Sequence, residues 1–248
     1  MFLLYIFAAL LGAAIGSFIH CVVVRESAGE KWTTGRSECD NCKTPLPWTA
    51  NLPIIGFLLS GGKTQCCSKP LTIWHLVLET LGAVLFVLLA GRWIDGGDTV
   101  LLIKSLAVAI FAIYTLASDG RFMEVSVPVS LVSAIVLLGV AMASGNLTIA
   151  ILTGLGGAGF FALQYALTRG KGIGSGDMIL GGVIGLSLGF PGVVVGIMLG
   201  YMIGATHAVV LIAQKKASRK THVPLGAYLM VGMLIAFFYG DLVLGLVY

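Results

Sequence analysis

The chain has 248 residues, 58% of them hydrophobic and only 10% charged, with a mean hydropathy of +1.00. Soluble domains carry roughly 45–50% apolar and about 25% charged residues, so a water-soluble globule is excluded. The net charge of +4 is no argument for nucleic acid, because the basic residues follow membrane topology, and five cysteines are too few for a disulfide scaffold.

The first apolar run, 2–24, has no basic residue before it and is long enough to span. It reads as a retained helix rather than a cleaved signal peptide. Further runs follow at 73–91, 98–118, 125–143, 148–168, 177–190, 192–213 and 224–247. The expected fold is therefore an all-α polytopic membrane protein with about eight transmembrane helices. The break at Phe190-Pro191-Gly192 is weak enough that the sixth and seventh runs also read as one long broken helix. The one polar segment of domain size is 25–72, holding four of the five cysteines. This divides the chain into a first helix (1–24), a small cysteine loop domain (25–72) and a helical core (73–248). The 34 glycines suit close packing of membrane helices. The Leu152–Gly159 stretch lacks the strand and Lys-Ser/Thr of a phosphate loop and reads as a packing face.

Orientation follows from Lys and Arg. With the N-terminus outside, the inner loops hold Arg25, Lys31, Arg36, Lys43, Lys63, Lys69, Arg121, Arg169, Lys171, Lys215, Lys216, Arg219 and Lys220, leaving Arg92 outside and Lys104 in a helix. The 25–72 loop is then cytoplasmic.

Carboxylates in or near a membrane core are costly and mark function. Asp95, Asp98 and Glu124 fall in short loops and read as solvated; Asp241 lies near the outer end of the last helix. Asp119 closes the 98–118 run, and Asp177 opens the 177–190 run behind Gly174-Ser175-Gly176. In the derived topology both lie at the cytoplasmic boundary. Two carboxyls converging there share a proton, so that one activates water while the other polarises a carbonyl. The glycines around Ser175 leave room for a substrate backbone beside Asp177. The competing reading is that each aspartate only caps a helix.

Cys39-x-x-Cys42 and Cys66-Cys67 sit in the cytoplasmic loop, where thiols stay reduced. Four thiolates suit a tetrahedral zinc ion; free thiols in a partly degenerate loop are the alternative. Cys21, His20, His75, His207 and His222 read as packing or hydrogen-bonding residues. Glu79 reads as a bundle-facing polar residue and possible accessory to a site.

Gly174-Ser175-Gly176-Asp177 resembles the GxGD signature of the intramembrane aspartyl proteases, and further motifs resemble the bacterial type IV prepilin peptidases in order. These are Gly16-Ser17-Phe18 ending in Arg25, Arg36-Ser37 before Cys39-Asp40-Asn41-Cys42, Asn51 to Gly56, Val77-Leu78-Glu79, Asp119-Gly120-Arg121 and Val223-Pro224-Leu225-Gly226. The resemblance covers nearly the whole chain. It implies catalytic Asp119 and Asp177 and cleavage of the short basic leader of type IV prepilins or type II secretion pseudopilins. It also implies a bacterial inner-membrane location and, as in many members, N-methylation of the new N-terminus with S-adenosylmethionine; Glu79 either holds a polar network or joins the methyl-transfer site. Lipid and prepilin are then the partners, and nucleic acid is not. Three positions depart from the pattern: Thr64 where the first cysteine of the second pair belongs, Ile179 where lysine is common, and Pro128-Val129 in place of Pro-Asp or Pro-Asn. A proton-coupled transporter and an inactive pilus or secretion scaffold are the rival readings.

Overall fold

In a computed structural model the described residues are 1–39, 41–216, 221 and 223–245, and these contain helices and no strand. Asp40, Arg219, Lys220, His222, the side chain of Asp241 and the end of the 224–247 run lie outside the described residues.

Two compact units divide the chain, Met1–Asp98 and Thr99–Tyr248. In the first unit, α1 (Phe2–Ser27) packs along α3 (Trp74–Gly96), and the segment between them carries a 3-10 turn (Trp48–Asn51) and the short α2 (Ile55–Leu59). Apolar composition alone does not bring two helices together in lipid; close backbone approach does. Gly12 and Gly82 stand face to face, and Gly16 lies against the Leu78 carbonyl, so any side chain at these positions would collide with the opposite backbone. Gly97 closes α3 in the left-handed conformation, a helix stop that glycine adopts without a steric penalty.

The second unit holds α4 (Thr99–Phe122), α5 (Val127–Ala143), α6 (Leu147–Thr168), α7 (Ser175–Leu188), α8 (Gly192–Ala213) and α9 (Leu225–Gly245). Pro128 lies in the first turn of α5, where its missing N–H breaks no helical bond. α6 packs on α7 and α8 on α9, while α4 packs on α5 and α9. The α6–α7 seam is again glycine on backbone: Gly157 meets Gly181, Gly185 meets the Thr153 carbonyl, and the Thr153 hydroxyl donates to Gly185 O at 3.0 Å. Pairing 153 with 185 and 157 with 181 fixes an antiparallel register.

Within the described residues each of the eight expected runs contains a helix, and α7 and α8 are separate, α7 ending at Leu188 and α8 beginning at Gly192. Five helices (α1, α3, α4, α6 and α8) are long and apolar enough to cross a membrane. The apolar helices Val127–Ala143, Ser175–Leu188 and Leu225–Gly240 are shorter. At 1.5 Å per residue the 14 residues of α7 reach about 21 Å, short of a ~30 Å hydrocarbon core. The count of eight spans is therefore not matched by eight helices of spanning length.

Candidate active site

Asp119 lies in the last turn of α4, three residues before its end at Phe122, and its residue is only 6% exposed. A carboxylate placed there needs a donor, and α9 supplies one: the Ala227 N–H donates to Asp119 Oδ2 at 2.7 Å. The Val223-Pro224-Leu225-Gly226 motif puts that amide in reach, because Gly226 has no side chain to hold α9 away. A Cβ there would lie 3.0 Å from Asp119 Oδ2.

Asp177 is the third residue of α7, and its Oδ2 accepts a 2.9 Å hydrogen bond from the Gly174 N–H. The acid thus folds back on the helix start, half of a capping box, and one carboxylate oxygen is pinned by the backbone. Gly176 is filled by packing: a Cβ there would stand 2.7 Å from Val125 Cγ2, so this glycine lets the α4–α5 turn close against α7. Asp119 and Asp177 lie within electrostatic reach of each other. Each is thus a helix-end residue anchored through one oxygen by a backbone amide.

Two phenols flank the pair, and nothing in the motif pattern had singled them out. Tyr201 of α8 is in electrostatic reach of Asp177, and Tyr228 of α9 in reach of Asp119. The Tyr228 hydroxyl is hydrogen-bonded to His207 Nδ1, and the Tyr201 hydroxyl donates to Gln164 Oε1 at 3.0 Å. The exposed Glu124, by contrast, is solvated as its loop position suggested. Lys104 sits over the Phe237 ring, 6.0 Å from its centroid, rather than beside either aspartate.

In the first unit, Cys39, Cys42, Cys66 and Cys67 converge with all four sulfurs within 4.8 Å of one another. Two turns of one design build the cluster. Cys39 N bonds Thr44 O and Lys43 N bonds Cys39 O, with Lys43 at positive φ. Thr64 N bonds Lys69 O and Ser68 N bonds Thr64 O, with Ser68 at positive φ. Thr64 therefore stands where Cys39 stands in the first turn, Cys67 matches Cys42, and Cys66 brings the fourth sulfur from one residue earlier. Sulfurs bound at about 2.3 Å to a tetrahedral zinc ion lie about 3.8 Å apart. The Cys39–Cys67 separation is 3.8 Å and Cys42–Cys66 is 3.1 Å, so the donor set can hold a metal with a small widening. The Thr44 hydroxyl and the Cys66 thiol pull the Cys42 thiol down to about 6, while that same contact with Cys42 pushes Cys66 up to about 12. The Thr64 hydroxyl pulls Cys67 down as well.

Glu79 is buried in α3 and its Oε2 accepts a 2.6 Å hydrogen bond from the Ile54 N–H. Ile54 has φ +62, a strained setting for a β-branched residue, and the Glu79 carboxylate holds it there. Buried His20 packs edge-on against His75 at 3.9 Å between ring centroids.

Five apolar helices of spanning length define a multi-pass membrane protein, and two of its acidic side chains are anchored by backbone amides. A model of the bacterial peptidase A24 N-terminal domain matches residues 10–93, and a model of the type IV leader peptidase family matches residues 106–209. The chain belongs to the type IV leader peptidase family. It is similar to a prepilin leader peptidase/N-methyltransferase of Xanthomonas campestris, 26% identical over 94% of this chain and 91% of the relative. Relatives of the same name from Bacillus subtilis (25%, over 93% and 92%) and Neisseria gonorrhoeae (26%, over 94% and 90%) align as fully. No solved structure matches the chain.

Proposed function

We propose that the chain is an aspartyl endopeptidase of the membrane, which removes the leader from type IV prepilins or type II secretion pseudopilins. The observation that carries this reading is the pairing of Asp119 with Asp177, each anchored through one oxygen by a backbone amide. In this reading the two carboxyls converge and share one proton, because like charges a few ångströms apart disfavour double ionisation. The ionised member takes a proton from water as that water attacks the scissile carbonyl. The protonated member donates to the carbonyl oxygen; the member that took the water's proton then passes it to the leaving amine, and as the C–N bond breaks the hydroxyl proton of the tetrahedral intermediate returns to the other carboxylate. Ala227 and Gly174 hold the carboxylates in place, and neither an acyl-enzyme nor a catalytic metal enters.

The Lys and Arg distribution supports an inner-membrane protein with its N-terminus outside and the 25–72 loop, Asp119 and Asp177 on the cytoplasmic side. Gly174 and Ser175, both exposed, line the approach to Asp177, while Gly176, expected to leave room for substrate, instead packs on Val125. The cysteine loop domain, 25–72, holds a structural zinc ion through Cys39, Cys42, Cys66 and Cys67, stapling a segment with little core of its own. We extend the second activity in the relatives' names, N-methyl transfer, to the same product end, with S-adenosylmethionine as donor. The cleavage chemistry of Asp119 and Asp177 does not use it. Glu79 serves as an accessory residue by fixing the Asn51 to Gly56 turn. A proton-coupled transporter would call for Lys104 beside an aspartate, and its place over Phe237 does not support that.

The test is co-expression with a prepilin and a gel-shift readout for wild type, Asp119→Asn and Asp177→Asn. Wild type is expected to cut, and both variants to be inert though stably inserted. Full activity in either variant would sink the dyad; a wild type that cuts no prepilin or pseudopilin would revive the scaffold reading.

A further inference from the structure

Gln164 is the one polar side chain of α6 that bonds across to α8, and only half of its amide is used. Oε1 accepts the Tyr201 hydroxyl at 3.0 Å, whereas Nε2 is buried with no hydrogen-bond partner among the described residues. A buried amide donor left unpaired costs free energy anywhere, and more so in a helix surrounded by lipid, where solvent does not compensate. Such a group asks for an explanation.

Its position supplies one. Phe161 packs against Gly181 in the seam that pairs 153 with 185 and 157 with 181, and that antiparallel register, carried two turns further along α6, brings Gln164 toward Gly174. Gln164 is therefore level with the GxGD turn. Tyr201, its anchor, stacks on Phe161 with 17° between the rings and lies in electrostatic reach of Asp177. The phenol is held by an aromatic neighbour and in turn holds the amide.

A peptide segment must leave the helical conformation to be cleaved, and its backbone carbonyls then lose their internal partners inside the bilayer boundary. A neutral, preoriented amide donor matches a neutral carbonyl and adds no charge beside two carboxylates. We propose that Gln164 is a substrate-positioning residue whose Nε2 donates a hydrogen bond to a backbone carbonyl of the extended peptide bound beside Asp177, with Tyr201 fixing the amide. This rests on the peptidase reading above.

The test is steady-state cleavage of a full-length prepilin by the purified full chain, together with prepilins in which single backbone amides near the cleavage site are replaced by esters. An ester carbonyl is a weaker acceptor. Gln164→Leu is expected to lower kcat/KM about 3- to 10-fold, chiefly through KM, the loss of one neutral hydrogen bond. One ester position should slow wild type by a similar factor and leave Gln164→Leu unaffected. Gln164→Met provides the same readout should the leucine variant fail to fold, and Tyr201→Phe is expected to fall between. Ester costs that are the same in wild type and in the Gln164 variants overturn the proposal, and they are what a role confined to packing or to a bound water predicts. So does a Gln164 variant with wild-type KM. A wild type that cuts no prepilin fails the peptidase reading itself, a different result from either.

Discussion

A methyl group at Gly226 would stand 3.0 Å from Asp119 Cγ and Oδ2 and 2.7 Å from Leu180 Cδ1. Leu180 is fully buried and cannot retreat, so Asp119 or α9 must move. Either shift lengthens the bond from the Ala227 N–H, a hydrogen bond to a charged group worth about 1.5–3 kcal/mol. Gly226→Ala is expected to lower the rate of leader cleavage about 10- to 100-fold while membrane insertion is retained, as read by initial rates and by protein level in membranes. The second residue-scale case is Thr64. It occupies the place that Cys39 fills in the sister turn, and Cys66 makes up the missing sulfur from an adjacent position. In wild type, Cys66→Ser should remove the proposed zinc; in a Thr64→Cys background the same change should leave zinc bound, as measured by metal content after dialysis against a chelator. Retention of zinc by Cys66→Ser alone would show that the fourth sulfur is not a ligand. The pH sense follows from the same contacts. Thiolates are the ligands, and Cys66, pushed up to about 12 by its contact with Cys42, keeps its proton at neutral pH without metal. Zinc uptake at pH 7–8 should therefore release at least one proton, and affinity should rise with pH. Calorimetric binding enthalpy that does not vary with the buffer's ionisation enthalpy would contradict this.

At the scale of helices, hydropathy was enough to find all eight apolar elements, because an all-round apolar helix is what lipid demands of a chain that must satisfy its own backbone. The same uniformity hid which face meets which. Gln164, Tyr201, His207 and Tyr228 sit in helices with no polar stripe, and their partners lie 37 and 21 positions away, so nothing local marked them. Asp119 and Asp177 were legible because acidic residues are rare there and flanked by motifs; Ala227, whose role is a backbone amide, carries no sequence signal at all. The bounds of α5 and α7 were displaced by two residues for a related reason: α5 starts at Val127 rather than 125, and apolar composition runs past the residues whose backbone stays helical, as at Phe190, beyond the end of α7. Glycine position separates seam from lipid face where hydropathy does not. On α6, a Cβ at Gly157 would strike the Gly181 carbonyl, while one at Gly159 meets nothing within 4 Å. Gly157→Val is expected to destabilise by about 1–3 kcal/mol or more through overpacking, and Gly159→Val to be near neutral. Thermal unfolding in detergent would check this, and equal losses for the two would refute the seam.

For the whole molecule, the quantity that decides function is which side of the membrane the aspartates face. A type IV leader is basic, and charged segments are retained where Lys and Arg are retained, so enzyme and leader must obey one bias to meet. Arg121 follows Asp119 by two residues in the last turn of α4, and Arg169 and Lys171 precede the start of α7, so the basic residues lie at the same helix ends as the carboxylates. The bias thus acts on the site directly rather than through a distant domain. Glu124 and Ser144 are both exposed and lie at opposite ends of α5. With Glu124→Cys and Ser144→Cys made separately, a membrane-impermeant maleimide added to intact spheroplasts should modify position 144 and spare 124. Inverted membrane vesicles should reverse the pattern, and peptide mass spectrometry resolves the sites from the native cysteines. Labelling of 124 from outside would put Asp119 on the wrong face for a basic leader and leave the peptidase without access to its substrate.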